Sequence, residues 1–178
     1  IELSAMAKNN NDDDMIKYLS GMKEFMLNPK EYSNTGNREI DGVLNYMLQK
    51  ANRTLNQVDV QINIPEDLYL NNFNICVILG NLVDNAVREA SKSEEKQLTI
   101  KMQIKQELLL IFIENSYSGK ILEKKNGLQT TQTELAIHGI GLENVKKVVI
   151  DNGGEIKIDY TSNRFCVQVL LYMSRIKN

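Results

Sequence analysis

The chain switches several times between a helix-type and a strand-type pattern of hydrophobic and polar positions. The run 108–115 is apolar on both faces and is predicted to be a central strand. Apolar residues three and four positions apart predict helices at about 12–27, 38–56, 72–92 and 141–152. Alternating apolar residues predict further strands at about 58–64, 98–104, 156–160 and 165–171. This order of elements predicts an α+β fold, a two-layer sandwich in which helices cover a mixed sheet, preceded by an N-terminal helical segment.

The stretch 116–137 interrupts this pattern. It is rich in Lys, Asn, Thr and Gln and contains Gly119 and Gly127. A connection of this length inside a compact domain is usually a functional lid or a disordered segment, and the pattern alone leaves both open.

Composition narrows the class of protein. A length of 178 residues suits one ordinary domain with an extra helical piece, and 42% apolar with 25% charged residues is a globular balance. The net charge of −2 argues against a protein devoted to nucleic acid or to an anionic membrane surface. No apolar run approaches the ~20 residues that span a bilayer, and the sequence starts at Ile1 without a methionine. We therefore expect a soluble piece of a longer protein, with any membrane portion outside it.

Cysteine and histidine usage excludes two kinds of site. Cys76 falls on a predicted helix and Cys166 in a predicted strand, which favours buried free thiols over a disulfide framework. His138 is the single histidine, so a histidine-rich metal site is impossible.

The predicted helix 72–92 carries a polar stripe. Asn85, Arg88 and Lys92 fall within about 40° of Asn81 around the helix axis, and apolar residues fill the opposite arc. Amide oxygens suit a hard cation such as Mg²⁺ that also shares phosphate ligands, and Arg88 could neutralise phosphate charge. The alternative interpretation is an ordinary solvated helix face.

Three further positions are candidates for contact with a nucleotide. The pair Gly139-x-Gly141 at a predicted helix start could bind phosphate, or it could be a simple turn, and it matches neither a P-loop nor a dinucleotide fingerprint. Asn115 ends a buried strand, where it could read a base edge or begin a turn. His138, beside Gly139, could touch phosphate or have no role.

Three short motifs resemble the nucleotide-binding boxes of the GHKL (Bergerat) ATP-binding fold, which histidine kinases, gyrase and MutL share. They are NLVDNA (81–86), ENSYSG (114–119) and HGIGLENVKK (138–147). The segment GNREIDGVLNYMLQKA (36–51) is similar to that of the AgrC-type quorum-sensing sensor kinases, as is the NS form of the first glycine box. The resemblance covers about 36–173.

The resemblance implies a role for each matching residue. Asn85 would hold Mg²⁺, while Asn81 would contact phosphate or metal and Arg88 would contact phosphate. Asn115 stands where many family members have the aspartate that reads the adenine amino group, and Tyr117 stands at a glycine position. The residues that would complete the glycine boxes beneath a lid at 120–137 are Gly119, His138, Gly139, Gly141 and Leu142.

One position separates the chemistries found within this fold. GHKL hydrolases have a glutamate as general base four residues before the metal asparagine, and here that position is Asn81. An amide cannot accept a proton at neutral pH, so phosphoryl transfer is favoured over hydrolysis, and Asn81 and Arg88 are the expected catalytic residues.

The resemblance implies the cytoplasmic Mg-ATP-binding catalytic domain of a membrane-anchored two-component sensor histidine kinase. Residues 31–178 would be that domain and 1–30 the remnant of a dimerisation helix with its linker. The acceptor histidine would lie outside this sequence, because His138 belongs to the glycine box. The partners would be a second copy of the full-length kinase and a response regulator, with no nucleic acid and no direct membrane contact. The alternatives are a degenerate nucleotide-binding module that docks a regulator, and a GHKL ATP hydrolase.

Overall fold

A computed structural model describes residues 32–118, 121–124, 127–130 and 135–173, and the side chains of 121–124, 127–130 and 135–140 are outside that description. The chain divides into two compact units, Ile1–Glu31 and Tyr32–Asn178, and every described residue belongs to the second. The helix predicted at 12–27 and the dimerisation role of 1–30 therefore lie outside the described residues.

The second unit contains three helices and seven strands within its described residues. The helices are α1 (Arg38–Thr54), α2 (Asn72–Lys92) and α3 (Leu135–Asp151). The strands are β1 (Gln57–Asn63), β2 (Gln97–Lys105), β3 (Leu108–Ser116), β4 (Ile121–Lys124), β5 (Gly127–Thr130), β6 (Glu155–Tyr160) and β7 (Arg164–Tyr172).

Asparagine side chains cap the first two helices. Asn37 precedes α1 and accepts a hydrogen bond from the main-chain N–H of Ile40, and Asn71 precedes α2 and accepts from Phe73 and Asn74. Such caps satisfy N–H groups that have no partner within the helix. The predicted bounds of α2 are confirmed, and α1 ends two residues earlier than predicted.

Five strands form a mixed sheet in the order β1-β2-β3-β7-β6. β1 and β2 are parallel because α2 connects them, and the other neighbours are antiparallel. The predicted α+β fold and the central position of β3 are confirmed. Leu109, Ile111 and Ile113 of β3 are fully buried beneath the helices, whereas the other side of this strand is half-buried.

Helix α3 begins at Leu135, six residues before the predicted start at Gly141. Gly139 and Gly141 consequently lie within the helix. In the first turn of an α-helix the main-chain N–H groups without an intrahelical partner belong to the first four residues, here 135–138.

Helices α2 and α3 pack antiparallel. Nδ2 of Asn74, near the start of α2, donates to Oδ1 of Asn152 just beyond α3 at 3.0 Å. Farther along α2, Asn81 lies beside Gly141 in the first half of α3. This packing places Asn81 of the polar stripe beside Gly141 of the glycine motif.

The segment predicted as a lid contains a β-hairpin. Strands β4 and β5 pair antiparallel in a two-stranded sheet of their own. A turn at Thr161-Ser162-Asn163 connects β6 to β7, and the N–H of Thr161 donates to the carbonyl of Arg164. No helix in the described part of the chain is long and apolar enough to cross a bilayer.

Both cysteines are free thiols, as predicted. Cys166 is buried and Cys76 is half-buried, and burial is the main cause that raises the pKa of each thiol. Neither thiol is therefore an activated nucleophile.

Candidate functional site

The structure brings Asn81 and Gly141 into contact. Nδ2 of Asn81 donates to the carbonyl of Val77 at 2.7 Å, which leaves Oδ1 as an acceptor. A Cβ atom added at Gly141 would lie 3.3 Å from this Oδ1, so the glycine permits a close approach of α3 to the amide. The amide oxygen of Asn81 and the backbone of Gly141 are therefore close neighbours where α2 meets α3.

Asn85 and Arg88 are bonded to each other. Nη2 of Arg88 donates to Oδ1 of Asn85, Nη1 donates to Asp84 at 3.3 Å, and Nε donates to Glu89 at 3.4 Å. The oxygen that the sequence assigns to a metal ion thus already binds a cation. Any metal ion at Asn85 would therefore share this oxygen with the hydrogen bond from Arg88.

Two lysines continue this charge network. Nζ of Lys50, on α1, is 2.8 Å from Asp84, and Nζ of Lys92 is 3.2 Å from Glu89. The side chains of Arg88 and Asp84 are 32% and 40% exposed, so these pairs contribute little to the free energy of unfolding. The spacing of Asp84 and Arg88 could have indicated their ion pair. Nothing in the sequence pattern indicated Lys50, because it comes from a different helix.

Asn115 is a buried amide at the end of the central strand. It is 3% exposed, and its Nδ2 donates to the main-chain oxygen of Ser116 at 2.8 Å. Among the described residues, no donor is found for its Oδ1. A buried acceptor without a donor costs about 1–3 kcal/mol, so this oxygen fits a ligand that brings an N–H group.

An aromatic pair borders Asn115. Phe165 is its register partner on β7, and the rings of Phe165 and Tyr117 are 6.3 Å apart between centroids. Tyr117 is 7% exposed, and its burial, followed by the charge of Glu89, raises the pKa of its phenol. The tyrosine that stands at a glycine position of the family box is therefore packed into the protein.

The structure describes the other predicted site residues, Leu142, His138, Gly139 and Gly119, to different extents. Leu142 is partly buried and packs against the core. His138 and Gly139 lie on the backbone of α3, but their side-chain surroundings are outside the described residues. Gly119 is also outside the described residues, so its predicted role stays a prediction.

The donor set limits which metal could bind. The described residues contain no group of three or more His, Cys, Asp or Glu side chains arranged to hold a metal ion. Amide oxygens fit Mg²⁺, which keeps several waters and takes phosphate oxygens as further ligands. The site therefore suits a magnesium–phosphate complex better than a free metal ion.

A family model described as the GHKL domain matches residues 70–172, which include α2, β3 and α3. This chain belongs to the GHKL domain family. No curated protein sequence matches the chain.

Solved structures share this fold. Histidine kinase AdeS of Acinetobacter baumannii has a TM-score of 0.61 at 14% identity, over 98% of this chain and 86% of that one. The catalytic domain of histidine kinase ThkA has a TM-score of 0.59 at 18% identity, over 79% of this chain and 93% of that one. The mycobacterial sensor histidine kinase MprB has a TM-score of 0.52 at 16% identity, over 75% of this chain and 95% of that one. The GHKL domain described here thus has the fold of histidine kinase catalytic domains.

Proposed function

We propose that this GHKL domain is the Mg-ATP-binding catalytic domain of a sensor histidine kinase. The observation that carries the proposal is the buried Oδ1 of Asn115, an acceptor without a described donor at the end of β3. The amino group of adenine is a donor of the required kind. The family match and the fold of the histidine kinases support the same function.

The residues of α2 fit the other end of the nucleotide. Asn81 and Asn85 offer neutral oxygens for Mg²⁺ and Arg88 offers a charged donor for phosphate. When bound, Mg-ATP supplies the γ-phosphoryl group and the ion offsets the phosphate charge. By resemblance, Gly119 ends the first glycine box, which contains Asn115. His138, Gly139, Gly141 and Leu142 would form the second glycine box at the phosphates.

Asn81 favours transfer over hydrolysis. Its amide holds the carbonyl of Val77 through Nδ2 and has no site that accepts a proton at neutral pH. The nearby carboxylates of Asp84 and Glu89 are both paired with cations. Catalysis in such a site rests on positioning and charge neutralisation, and the acceptor would be a histidine outside this sequence.

The finer features of the proposal follow from the sequence resemblance. The protein would be a quorum-sensing kinase of the AgrC type, with the domain in the cytoplasm and a membrane anchor outside this sequence. It would act as a homodimer and pass its phosphoryl group to a response regulator. Residues 1–30 would contribute to the dimerisation helix.

Titration of the domain with an ATP analogue, with and without Mg²⁺, tests nucleotide binding. We expect saturation that strengthens with Mg²⁺, whereas no binding at millimolar nucleotide would remove the kinase function. The full-length chain should then label an upstream histidine from γ-labelled ATP. Steady phosphate release without labelling would favour an ATP hydrolase.

A second candidate function is a regulator-docking module that binds nucleotide without chemistry. Tyr117 favours it, because a buried aromatic side chain replaces a glycine of the first glycine box. Nucleotide binding without histidine labelling in the full-length dimer would support this module.

A further inference from the structure

Two buried serines join helix α2 to strand β3. Ser93 follows α2 as its C-terminal cap and is 5% exposed, and Ser116 is the last residue of β3 and is 1% exposed. Their Oγ atoms are 2.6 Å apart. A buried hydroxyl is unfavourable unless it is hydrogen-bonded, and each of these two hydroxyls has further hydrogen-bond partners besides the other.

Ser93 closes the end of α2. Its hydroxyl donates to the carbonyl of Ala90 at 2.8 Å, and its oxygen accepts from the N–H of Lys96 at 3.2 Å. Lys96 has a φ of 50°, a left-handed conformation that is uncommon for a residue with a side chain. Ser93 thus anchors the tight connection from α2 to β2.

Ser116 completes a chain of hydrogen bonds across three elements. Its Oγ accepts from the N–H of Gln97, the first residue of β2, at 2.8 Å, and a longer contact of 3.4 Å leads to the carbonyl of Gln97. Either Oγ atom can be the donor in the 2.6 Å bond between Ser93 and Ser116. The chain of bonds therefore runs from β2 through both serines to the end of α2.

Ser116 also orients the amide of Asn115. The main-chain oxygen of Ser116 accepts from Nδ2 of Asn115 at 2.8 Å. That bond leaves Oδ1 of Asn115 as the free acceptor. The residue that ties β3 to α2 is thus the same residue that sets the orientation of the base-reading side chain.

We propose that Ser116, together with Ser93, is a positioning residue for nucleotide selection. The serine pair holds Asn115 at a constant position relative to the phosphate-binding face of α2, so that one nucleotide meets both ends of the site at once. This inference rests on the proposed function, because it assumes that Asn115 reads the base. Binding groups must be held to within a fraction of an ångström to act together, and a buried hydrogen-bond network provides such rigidity.

The test compares Ser116→Ala, Ser93→Ala and the double variant with the wild-type domain. Affinities are measured for Mg-ATP, Mg-GTP and Mg-tripolyphosphate, and thermal unfolding is followed in parallel. Ser91→Ala is the matched control, because Ser91 is an exposed serine of the same helix whose Oγ bonds the carbonyl of Arg88.

Loss of either hydroxyl should weaken Mg-ATP binding about tenfold, corresponding to ~1.4 kcal/mol, and leave tripolyphosphate binding within about twofold of the wild type. The preference for ATP over GTP should fall accordingly. The double variant should be no worse than the single ones, since both remove the same connection. The Ser91→Ala domain should behave as the wild type.

Two results would overturn the inference alone: an unchanged ATP preference in Ser116→Ala, or an equal loss of affinity for all three ligands. Either would make the serine pair a purely structural feature, whatever the unfolding temperature. If Ser116→Ala does not fold, Ser93→Ala breaks the same bond from the other side and decides the question. A wild-type domain that binds neither nucleotide would instead overturn the proposed function, and this inference with it.

Discussion

At the scale of single residues, Arg88 occupies the Asn85 oxygen that the proposed function assigns to Mg²⁺. The guanidinium of Arg88 bonds the same amide oxygen that would hold Mg²⁺. A magnesium ion at Asn85 would share this oxygen with the guanidinium or replace it, and replacement would free Arg88 to reach phosphate. Ion pairs with Asp84 and Glu89 hold the Arg88 side chain on the same helix face in this structure.

Replacing Asn85 with alanine should remove the magnesium dependence of ATP binding. We expect the ratio of affinities with and without Mg²⁺ to fall by about tenfold, as for the loss of one metal ligand or its support. Isothermal titration with and without Mg²⁺ measures this ratio. Asn63→Ala, at an exposed position of the edge strand β1, is the control, and an unchanged ratio in Asn85→Ala would show that the metal assignment is wrong.

Replacing Asn115 with leucine should separate binding from stability. The leucine has a similar shape but offers no acceptor, so Mg-ATP affinity should fall by about tenfold while tripolyphosphate binding persists. The free energy of unfolding should change by less than ~1 kcal/mol, because the variant loses one hydrogen bond but also removes an acceptor without a donor. Undiminished ATP affinity would mean that Asn115 does not read the base.

At the scale of elements, the predicted helix bounds agree with the structure for α2 and differ from it for α3. Asn71 caps α2, and the predicted range of that helix is confirmed because its amphipathic pattern is continuous. The predicted start of α3 at Gly141 is wrong, since the helix begins at Leu135. The prediction depended on the two glycines, which usually favour a turn but here lie inside the helix. Each glycine inside a helix costs about 1 kcal/mol, and at Gly141 the contact with Asn81 supplies a reason for its presence.

Two glycines with opposite surroundings should respond oppositely to alanine. A Cβ at Gly154 would overlap the main-chain oxygen of Leu170 and lie 2.7 Å from Cδ2 of Leu171, whereas a Cβ at Gly42 on α1 meets nothing within 4 Å. Gly154→Ala should lower the free energy of unfolding by about 3 kcal/mol. Gly42→Ala should raise it by up to ~1 kcal/mol.

Urea titration of both variants measures these changes. Equal stability of Gly154→Ala and the wild type would contradict the close packing of the connection between α3 and β6 against β7.

At the scale of the whole molecule, the proposed site spans both layers of the sandwich. Asn115 belongs to the sheet, Asn81 and Arg88 to α2, and Gly141 to α3. A ligand that contacts all of these residues binds the folded chain but not the unfolded chain. Its binding therefore increases the free energy of unfolding.

Mg-ATP should therefore stabilise the entire domain. At a concentration one hundred times its dissociation constant it should add about 2.7 kcal/mol to the free energy of unfolding, and the unfolding temperature should rise with ligand concentration. Differential scanning fluorimetry with Mg-ATP, Mg-GTP and Mg²⁺ alone measures this. Equal shifts for ATP and GTP would argue against base recognition through an acceptor at Asn115.

The sequence by itself determined the fold class, the bounds of α2, the central position of β3 and the nucleotide-binding family motifs. These depend on local periodicity and on residue types at short spacing, which the chain displays without its three-dimensional context. It did not reveal the Asn81–Gly141 contact, the Lys50–Asp84 pair or the Ser93–Ser116 bond. Those join residues 23 to 60 positions apart, by differences of their sequence numbers. Only the packing of α2 against α1, α3 and the sheet decided them, because distance along the chain carries no information about which polar side chains meet.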